Sequence, residues 1–301
     1  GATTTYLYDG SSFSVSPATL ATARRSASAA EGPSGTAAIL AGGRNTPESA
    51  LTEEYNLGIN TITAAAWASG AALNTARYGS AQMGTTTASL VAGGSDPSGK
   101  RNESEEYNGT SWTEGNNLNT ARAYMGEAGT QTAAVAVGGY SNPPATKHAI
   151  VEQYNGTSWS ETGSDYPGTM YNIEGAGTLT AAVFAGGTPG SPPYAPGLTT
   201  EYDGTNFTTA ATMGTASYNA GMFGTQTSAI FAGGVNNSVS PIATSQKYDG
   251  TTWTATPSLA SARNGLGAFG ADATAGLMGG GVPVTNTTQE FTRTINTVIA
   301  A

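Results

Sequence analysis

The sequence predicts an all-β chain made of one repeated four-stranded unit. Three observations carry this. A tyrosine or phenylalanine followed by a turn recurs at Tyr8, Tyr55, Tyr107, Tyr154, Tyr202, Tyr248 and Phe291, 43 to 52 residues apart. A double glycine closes an apolar run in each copy, at Gly42-Gly43, Gly93-Gly94, Gly138-Gly139, Gly186-Gly187, Gly233-Gly234 and Gly279-Gly280. A tryptophan follows the tyrosine at Trp67, Trp112, Trp159 and Trp253, with Phe13 and Phe207 in the same slot. A period of this length, built of short strands and Gly-rich turns, marks a β-propeller, so residues 1–301 read as a single domain.

Each copy divides into four strand candidates. The first follows an Ala-Arg dipeptide, as in Ala76-Arg77-Tyr78-Gly79-Ser80-Ala81, and is rich in Gly, Ala and Ser. Small side chains suit strands that crowd around a central axis. The second runs from Gly-Thr to Gly-Gly (Thr85–Val91, Thr130–Val137, Thr178–Phe184, Thr225–Phe231) and ends nearly all apolar, as a strand buried on both faces does. The third carries Glu-Glu-Tyr or a variant, and the fourth carries the tryptophan. Between them stands Asn-Gly or Asp-Gly, at Asp9, Asn108, Asn155, Asp203 and Asp249, a strong hairpin signal. The tryptophans are expected to wedge adjacent sheets apart.

Arg24, Arg77, Arg122 and Arg263 occupy one repeat position, which Met170 and Ser217 take in two copies. Repeat equivalence predicts a structural role, with Glu53, Glu106 or Glu152 of a neighbouring unit as partner. The alternative is a ring of positive charge at one channel mouth.

The order Ala-Arg, apolar strand, Gly-Gly, Tyr-Asp-Gly, Trp resembles the kelch repeat and covers essentially the whole chain. The phrases Tyr107-Asn108-Gly109-Thr110-Ser111-Trp112, Leu118-Asn119-Thr120-Ala121-Arg122 and Gly129-Thr130-Gln131-Thr132-Ala133-Ala134 are similar to kelch-like repeats in structural proteins of tailed phages, particularly aquatic ones. This resemblance implies a virion component: a tail-fibre, tail-tip or capsid-decoration module.

Six Ala-Arg/Gly-Gly halves give six blades. The C-terminal segment from Gln289 aligns with Glu53 onward but stops before a tryptophan. The missing outer strand is expected from Ser11–Val15, with Phe13 in the tryptophan slot, so that N- and C-terminal strands close the ring. Thr3–Tyr8 would then add a fifth strand or pair with a neighbour. A seven-bladed ring with one incomplete blade is the alternative.

Composition narrows the function. Charged residues are only 10% of the chain, against roughly 25% in ordinary soluble domains. Surfaces of Thr, Ser, Asn and Gly are common in extracellular and virion proteins, so the expected location is the virion, or else the extracellular space. Net charge is −9 and no basic cluster exists, which argues against nucleic acid. No apolar stretch approaches the ~20 residues of a membrane span. Cysteine is absent, which excludes thiolate metal sites, cysteine nucleophiles and the copper site of kelch-like oxidases. His148 is the only histidine and reads as a strand-entry residue. The phrase Asp249-Gly250-Thr251-Thr252-Trp253 is similar to the Asp-box turn of sialidases, one residue short. No catalytic set, metal or cofactor is expected.

Variation concentrates after the double glycine, in Ser95–Ser104, Tyr140–Lys147, Thr188–Leu198 and Val235–Ala243. All four follow the same strand and so emerge on one face, where binding loops on a rigid scaffold usually sit. Tyr140, Tyr194, Asn236 and Asn237 are the candidate ligand-binding residues, because tyrosine and asparagine supply the stacking and amide hydrogen bonds that sugars use. The expected function is non-enzymatic recognition of a host-surface glycan or protein, as a homo-oligomer among other virion proteins. The alternative is a secreted or cell-surface bacterial lectin, with a glycan-processing enzyme behind it.

Overall fold

A computed structural model describes residues 2–9, 13–24, 28–31, 37–41, 44, 52–56, 66–282 and 289–292. Among them there is no helix. Five sheets each hold four antiparallel strands in chain order. The first comprises Ser28–Glu31, Ala37–Ala41, Thr52–Asn56 and Ala66–Ser69. The second comprises Ala81–Thr85, Ala88–Ala92, Ser104–Tyr107 and Trp112–Glu114; the third Gly126–Thr130, Ala133–Val137, Val151–Tyr154 and Trp159–Glu161. The fourth holds Tyr171–Thr178, Ala181–Thr188, Thr199–Tyr202 and Phe207–Thr209; the fifth Gly221–Thr225, Ser228–Ala232, Ser245–Tyr248 and Trp253–Thr256. This architecture is compatible with a propeller. The opening strand of each sheet lies against that of the next, and Asn264–Asp272, which opens the sixth sheet, lies against Ser28–Glu31 of the first.

The sixth sheet joins both ends of the chain. Its order is Asn264–Asp272, Ala275–Val282, Gln289–Thr292, Ala2–Asp9, Phe13–Arg24. The strand next to Gln289–Thr292 is therefore Ala2–Asp9, running parallel with Tyr8 opposite Phe291. The Phe13 strand lies one place further out, which corrects the expected order. The reason is local. Tyr8 pairs with Phe13 as Tyr107 pairs with Trp112, so Ala2–Asp9 and Phe13–Arg24 enter the sheet as a unit. Pairing the termini removes exposed strand edges.

The hairpin signal is realised. Asn108, Asn155, Asp203 and Asp249 each accept two main-chain N–H bonds from the residues two and three ahead. The glycine after each takes positive φ, +86° to +96°. Such a conformation suits glycine and is costly for other residues.

Adjacent sheets are tied together by side chains that reach one sheet back. The Trp159 indole N–H donates to Ser104 Oγ at 2.8 Å, Trp112 to Thr52 Oγ1 at 3.1 Å and Trp253 to Thr199 Oγ1 at 2.9 Å. Trp112 and Trp159 are buried, and Trp253 is half-buried. Tyr154 donates its hydroxyl to Glu106, and Tyr248 donates to Glu201 at 2.8 Å. Gln131 donates to the Ser89 and Tyr107 carbonyls, and Gln226 to those of Ala182 and Tyr202. The Trp67 side chain lies outside the described residues, although its backbone pairs with Tyr55 in the expected register.

Candidate functional site

The buried arginines brace the sheets. Arg77 and Arg122 are fully buried and Arg263 nearly so. Arg122 meets Glu152 at 3.0 Å and donates to the Gly138 and Ile150 carbonyls at 2.6 and 2.8 Å. Arg77 pairs with Glu105 and donates to the Gly93 and Glu103 carbonyls. Arg263 donates to Gly280. Each guanidinium thus pins the double-glycine carbonyl of its own repeat. This corrects two expectations: Glu105, not Glu106, is the partner, and both pairs lie within one sheet's own repeat. Alternation explains the first, since Glu105 and Glu106 project to opposite sides of the strand and Glu106 takes the Tyr154 hydroxyl instead. The alternative of a charged ring at a channel mouth does not fit fully buried guanidiniums. The Arg24 side chain lies outside the described residues.

Where the arginine is lost, its partner is lost too. Met170 goes with Thr200 at the glutamate position, and Ser217 goes with Gln246. Ser217 Oγ still donates to the double-glycine carbonyl of Gly233 at 2.8 Å. Gln246 exchanges two hydrogen bonds with the Thr215 backbone.

Two residues after this arginine position the chain turns left-handed in every described repeat: Gly79, Tyr124, Asn172, Asn219 and Gly265 have φ between +53° and +64°. Their backbones form a ladder from sheet to sheet. Tyr124 N–H donates to Gly79 (2.7 Å), Asn172 to Tyr124 (2.8 Å), Asn219 to Asn172 (3.3 Å) and Gly265 to Asn219 (2.7 Å). In the second sheet the first strand starts at Ala81, four residues beyond the arginine, rather than directly after the Ala-Arg dipeptide as expected, whereas Tyr171–Thr178 and Asn264–Asp272 start directly after that position.

Above the ladder is a depression of about 330 Å³. It is lined by Arg44, Tyr78, Tyr124, Tyr171, Asn172, Asn219 and Asn264; the Asn219 amide donates to Asn264 Oδ1 at 3.0 Å, and the Asn264 amide to the Val282 carbonyl at 3.4 Å. The Tyr78 and Tyr124 rings lie 6.4 Å apart. Arg44 stands 5.2 Å over Tyr78, and the Lys100 ammonium 5.6 Å over Tyr124. A Cβ on Gly79 would come within 2.6 Å of the Tyr124 ring, so this ring requires glycine there. The variable loops rise beside the depression: Tyr78 bridges Ser95 and Ala123 bridges Tyr140, the first residues of two of them. Ser95–Ser104 and Tyr140–Lys147 each fold back as a two-residue-paired hairpin.

The four candidate residues separate. Tyr140 joins the aromatic group, 5.6 Å from Tyr171 and 5.4 Å beneath Lys100. Tyr194 is close to Tyr218, whose hydroxyl is held protonated above its usual range by burial and by the nearby Tyr171 and Tyr194. Asn237 is occupied in giving and taking hydrogen bonds with the Ala195 backbone, which fastens two loops together. Asn236 caps its own turn at Ser238 and Ser240. His148 bonds Ser141 Oγ at 2.8 Å and is held below its usual pKa by burial and by Arg122. The tyrosines and asparagines of the depression were missed in the sequence. Their signal spans two repeat positions: Tyr78, Tyr171 and Asn264 directly after the arginine position, and Tyr124, Asn172 and Asn219, with Gly79 and Gly265, one further on.

The depression continues into the channel between the opening strands. There Glu127 lines two successive cavities, of about 90 and 100 Å³. Glu174 shares the first and Gln82 the second. Desolvation pushes the Glu127 carboxyl up to about 8, against a bond from the Gln82 backbone. Glu174 is raised by desolvation first and then by the Glu127 charge. Among the described residues no three His, Asp or Glu side chains form a metal-binding group.

No protein-family model matches this sequence, and no curated protein does either. Among solved structures, the chain is similar to that of YjhT, with a TM-score of 0.70 over 85% of this chain and 90% of that one, at 12% identity. At this identity the likeness shows a shared fold alone.

Proposed function

We propose that the six sheets are the blades of a kelch-like propeller closed by the two terminal strands, and that it is a non-enzymatic glycan-recognition module of a tailed-phage virion. The contact between the sixth and first opening strands favours six blades over seven. The observation that carries the recognition role is the depression of tyrosine rings and asparagine amides at the channel mouth, ringed by variable loops. Flat rings stack on sugar faces, and amides pair with adjacent hydroxyls. The resemblance of the repeat phrases to phage structural proteins supports the virion placement, as a tail-fibre, tail-tip or capsid-decoration part. Several weak sites on a symmetric particle would bind strongly together, so a homo-oligomer is the working form.

The test is a glycan array with the wild-type protein and the Tyr124→Gly variant. Glycine fits the left-handed backbone at 124, so the variant should fold while its binding drops at least tenfold. Absence of any glycan signal, or binding at the wild-type level by both Tyr124→Gly and Tyr171→Ala, would remove the reading. Turnover of a bound glycan would overturn its non-enzymatic part.

A further inference from the structure

The chain carries a net charge of −9, yet basic groups gather at the mouth. Arg77, Arg122 and Arg263 are sealed inside the sheets, and Arg101 is ion-paired with Asp96 and Glu103. Lys100 and Lys147 have no carboxylate within ion-pair distance among the described residues. They stand on the two hairpins that rise beside the depression. The Lys100 ammonium faces two rings, 5.6 Å from the centre of Tyr124 and 5.4 Å from that of Tyr140. It spends one of its three donors on Ser95 Oγ at 3.1 Å. The Lys147 ammonium and the edge of the Tyr171 ring converge: a Cβ on Gly190 would lie 3.0 Å from the one and 3.4 Å from the other. Arg44 lines the depression itself, 5.2 Å over Tyr78. No Asp or Glu lines it.

A run of rings and cations therefore extends from Arg44 to Lys147. A cation over a ring gains little at an exposed site. That gain does not explain two lysines without a carboxylate in a chain of 20 acidic and 11 basic residues. An ammonium with donors to spare beside a tyrosine face suits a ligand that is flat on one side and negative at its edge. A sugar ring bearing a carboxylate or a sulfate is such a ligand. Its C–H face stacks on tyrosine while its anion meets the ammonium. We propose that the depression selects acidic glycans, and that Lys100 and Lys147 set this specificity. The inference rests on glycan recognition at the mouth and adds to it the charge of the sugar.

The experiment uses the full chain on matched glycan pairs: an oligouronate with its carboxyl-reduced form, and a sulfated oligosaccharide with its desulfated form. At least tenfold tighter binding of one acidic member than of its neutral partner is expected, and the pair that shows it tells carboxylate from sulfate. The preference should shrink as NaCl is raised from about 0.05 to 0.5 M, because salt screens the charge. Lys100→Gln and Lys147→Gln remove charge from partly exposed side chains. At least one should lose about tenfold in acidic-glycan affinity, with neutral-glycan binding within about twofold of wild type. Equal binding of acidic and neutral partners, with both variants unaffected, would overturn the inference and leave glycan recognition standing. Equal loss of acidic and neutral binding in both variants would show that the lysines only brace the rings, and would also overturn it. No glycan binding at all would remove both readings.

Discussion

The fifth repeat contains a natural replacement for the buried ion pair of the third. Transplanting it tests whether the arginine position is structural. In Arg122→Ser, Glu152 keeps the Asn119 N–H at 2.7 Å but loses its only ion-pair partner, and it is fully buried. Breaking a buried pair from one side costs about 3–5 kcal/mol. Glu152→Gln leaves the guanidinium charge buried with only the Gly138 and Ile150 carbonyls, a cost of the same kind. In Arg122→Ser/Glu152→Gln both charges are gone. The serine can donate to Gly138 as Ser217 does to Gly233, and the glutamine can serve Thr120 as Gln246 serves Thr215. Leu118 matches Met213 in the fifth repeat, so the surroundings are comparable. The double variant should then cost about 1–2 kcal/mol, in the ordinary range for a core substitution. Urea unfolding of the four proteins gives the coupling energy, which these costs put at about 4–9 kcal/mol, above the ~0.5–3 kcal/mol usual for residues in contact. If the two single costs simply add, the pairing of losses at Ser217 and Gln246 is coincidence, and the compensation argument fails.

Three further outcomes follow. Trp159→Ala should cost about 3–5 kcal/mol in chemical denaturation, whereas Trp159→Phe, which mainly gives up the bond to Ser104, should cost closer to ~1 kcal/mol. Thermal stability should fall as pH rises from about 4.5 to 8. Below that window both states hold the Glu127 proton; within it the unfolded chain has released the proton while the folded chain still binds it, and above it the loss is complete. Glu127→Gln should make that profile shallower, leaving the part due to Glu174, and a flat wild-type profile would contradict the desolvation of this carboxyl. Asn172→Gly should leave stability unchanged or raise it by up to ~1 kcal/mol, because glycine adopts positive φ freely; a clear loss would mean that the amide itself holds the ladder.

Much of the fold was legible because its signals are local. The Asn-Gly and Asp-Gly turns depend on residues within three positions, and the tryptophan wedge recurs at the tyrosine's hairpin partner. What was not legible depends on neighbours far along the chain. Nothing near Arg77 announces that the strand waits until Ala81, whereas Tyr171–Thr178 and Asn264–Asp272 begin directly after the same repeat position. The choice of Glu105 over Glu106 needs the side of the strand on which Arg77 arrives. The order of the terminal strands needs to know that Ala2–Asp9 and Phe13–Arg24 enter as one hairpin. Glu127 and Glu174 escaped notice because they sit in runs of Gly and Ala that read only as small-residue packing. Aligning the repeats places Glu127 with Gln82, Gly175, Met222 and Ala268, a position that tolerates residues of every size.

The ladder at the mouth bears on where the protein's selective chemistry lies. Its geometry asks only for a left-handed backbone at each step, and glycine meets that demand at 79 and 265 without strain. Tyr124, Asn172 and Asn219 meet it at a cost, on the order of 1–2 kcal/mol for a residue with a Cβ, less for asparagine. The backbone therefore does not account for these side chains. Packing does not account for Tyr124 and Asn172, which are partly exposed and line the depression; the Asn219 amide does tie its sheet to Asn264 of the next. Strain kept where a smaller residue would relieve it points to a use for the side chain itself. The tyrosine carries more weight than the asparagines, because an aromatic residue at positive φ is much rarer than asparagine there. Gly79 adds to this: the Tyr124 ring lies where a Cβ on 79 would be, so two repeats are shaped around one exposed aromatic face.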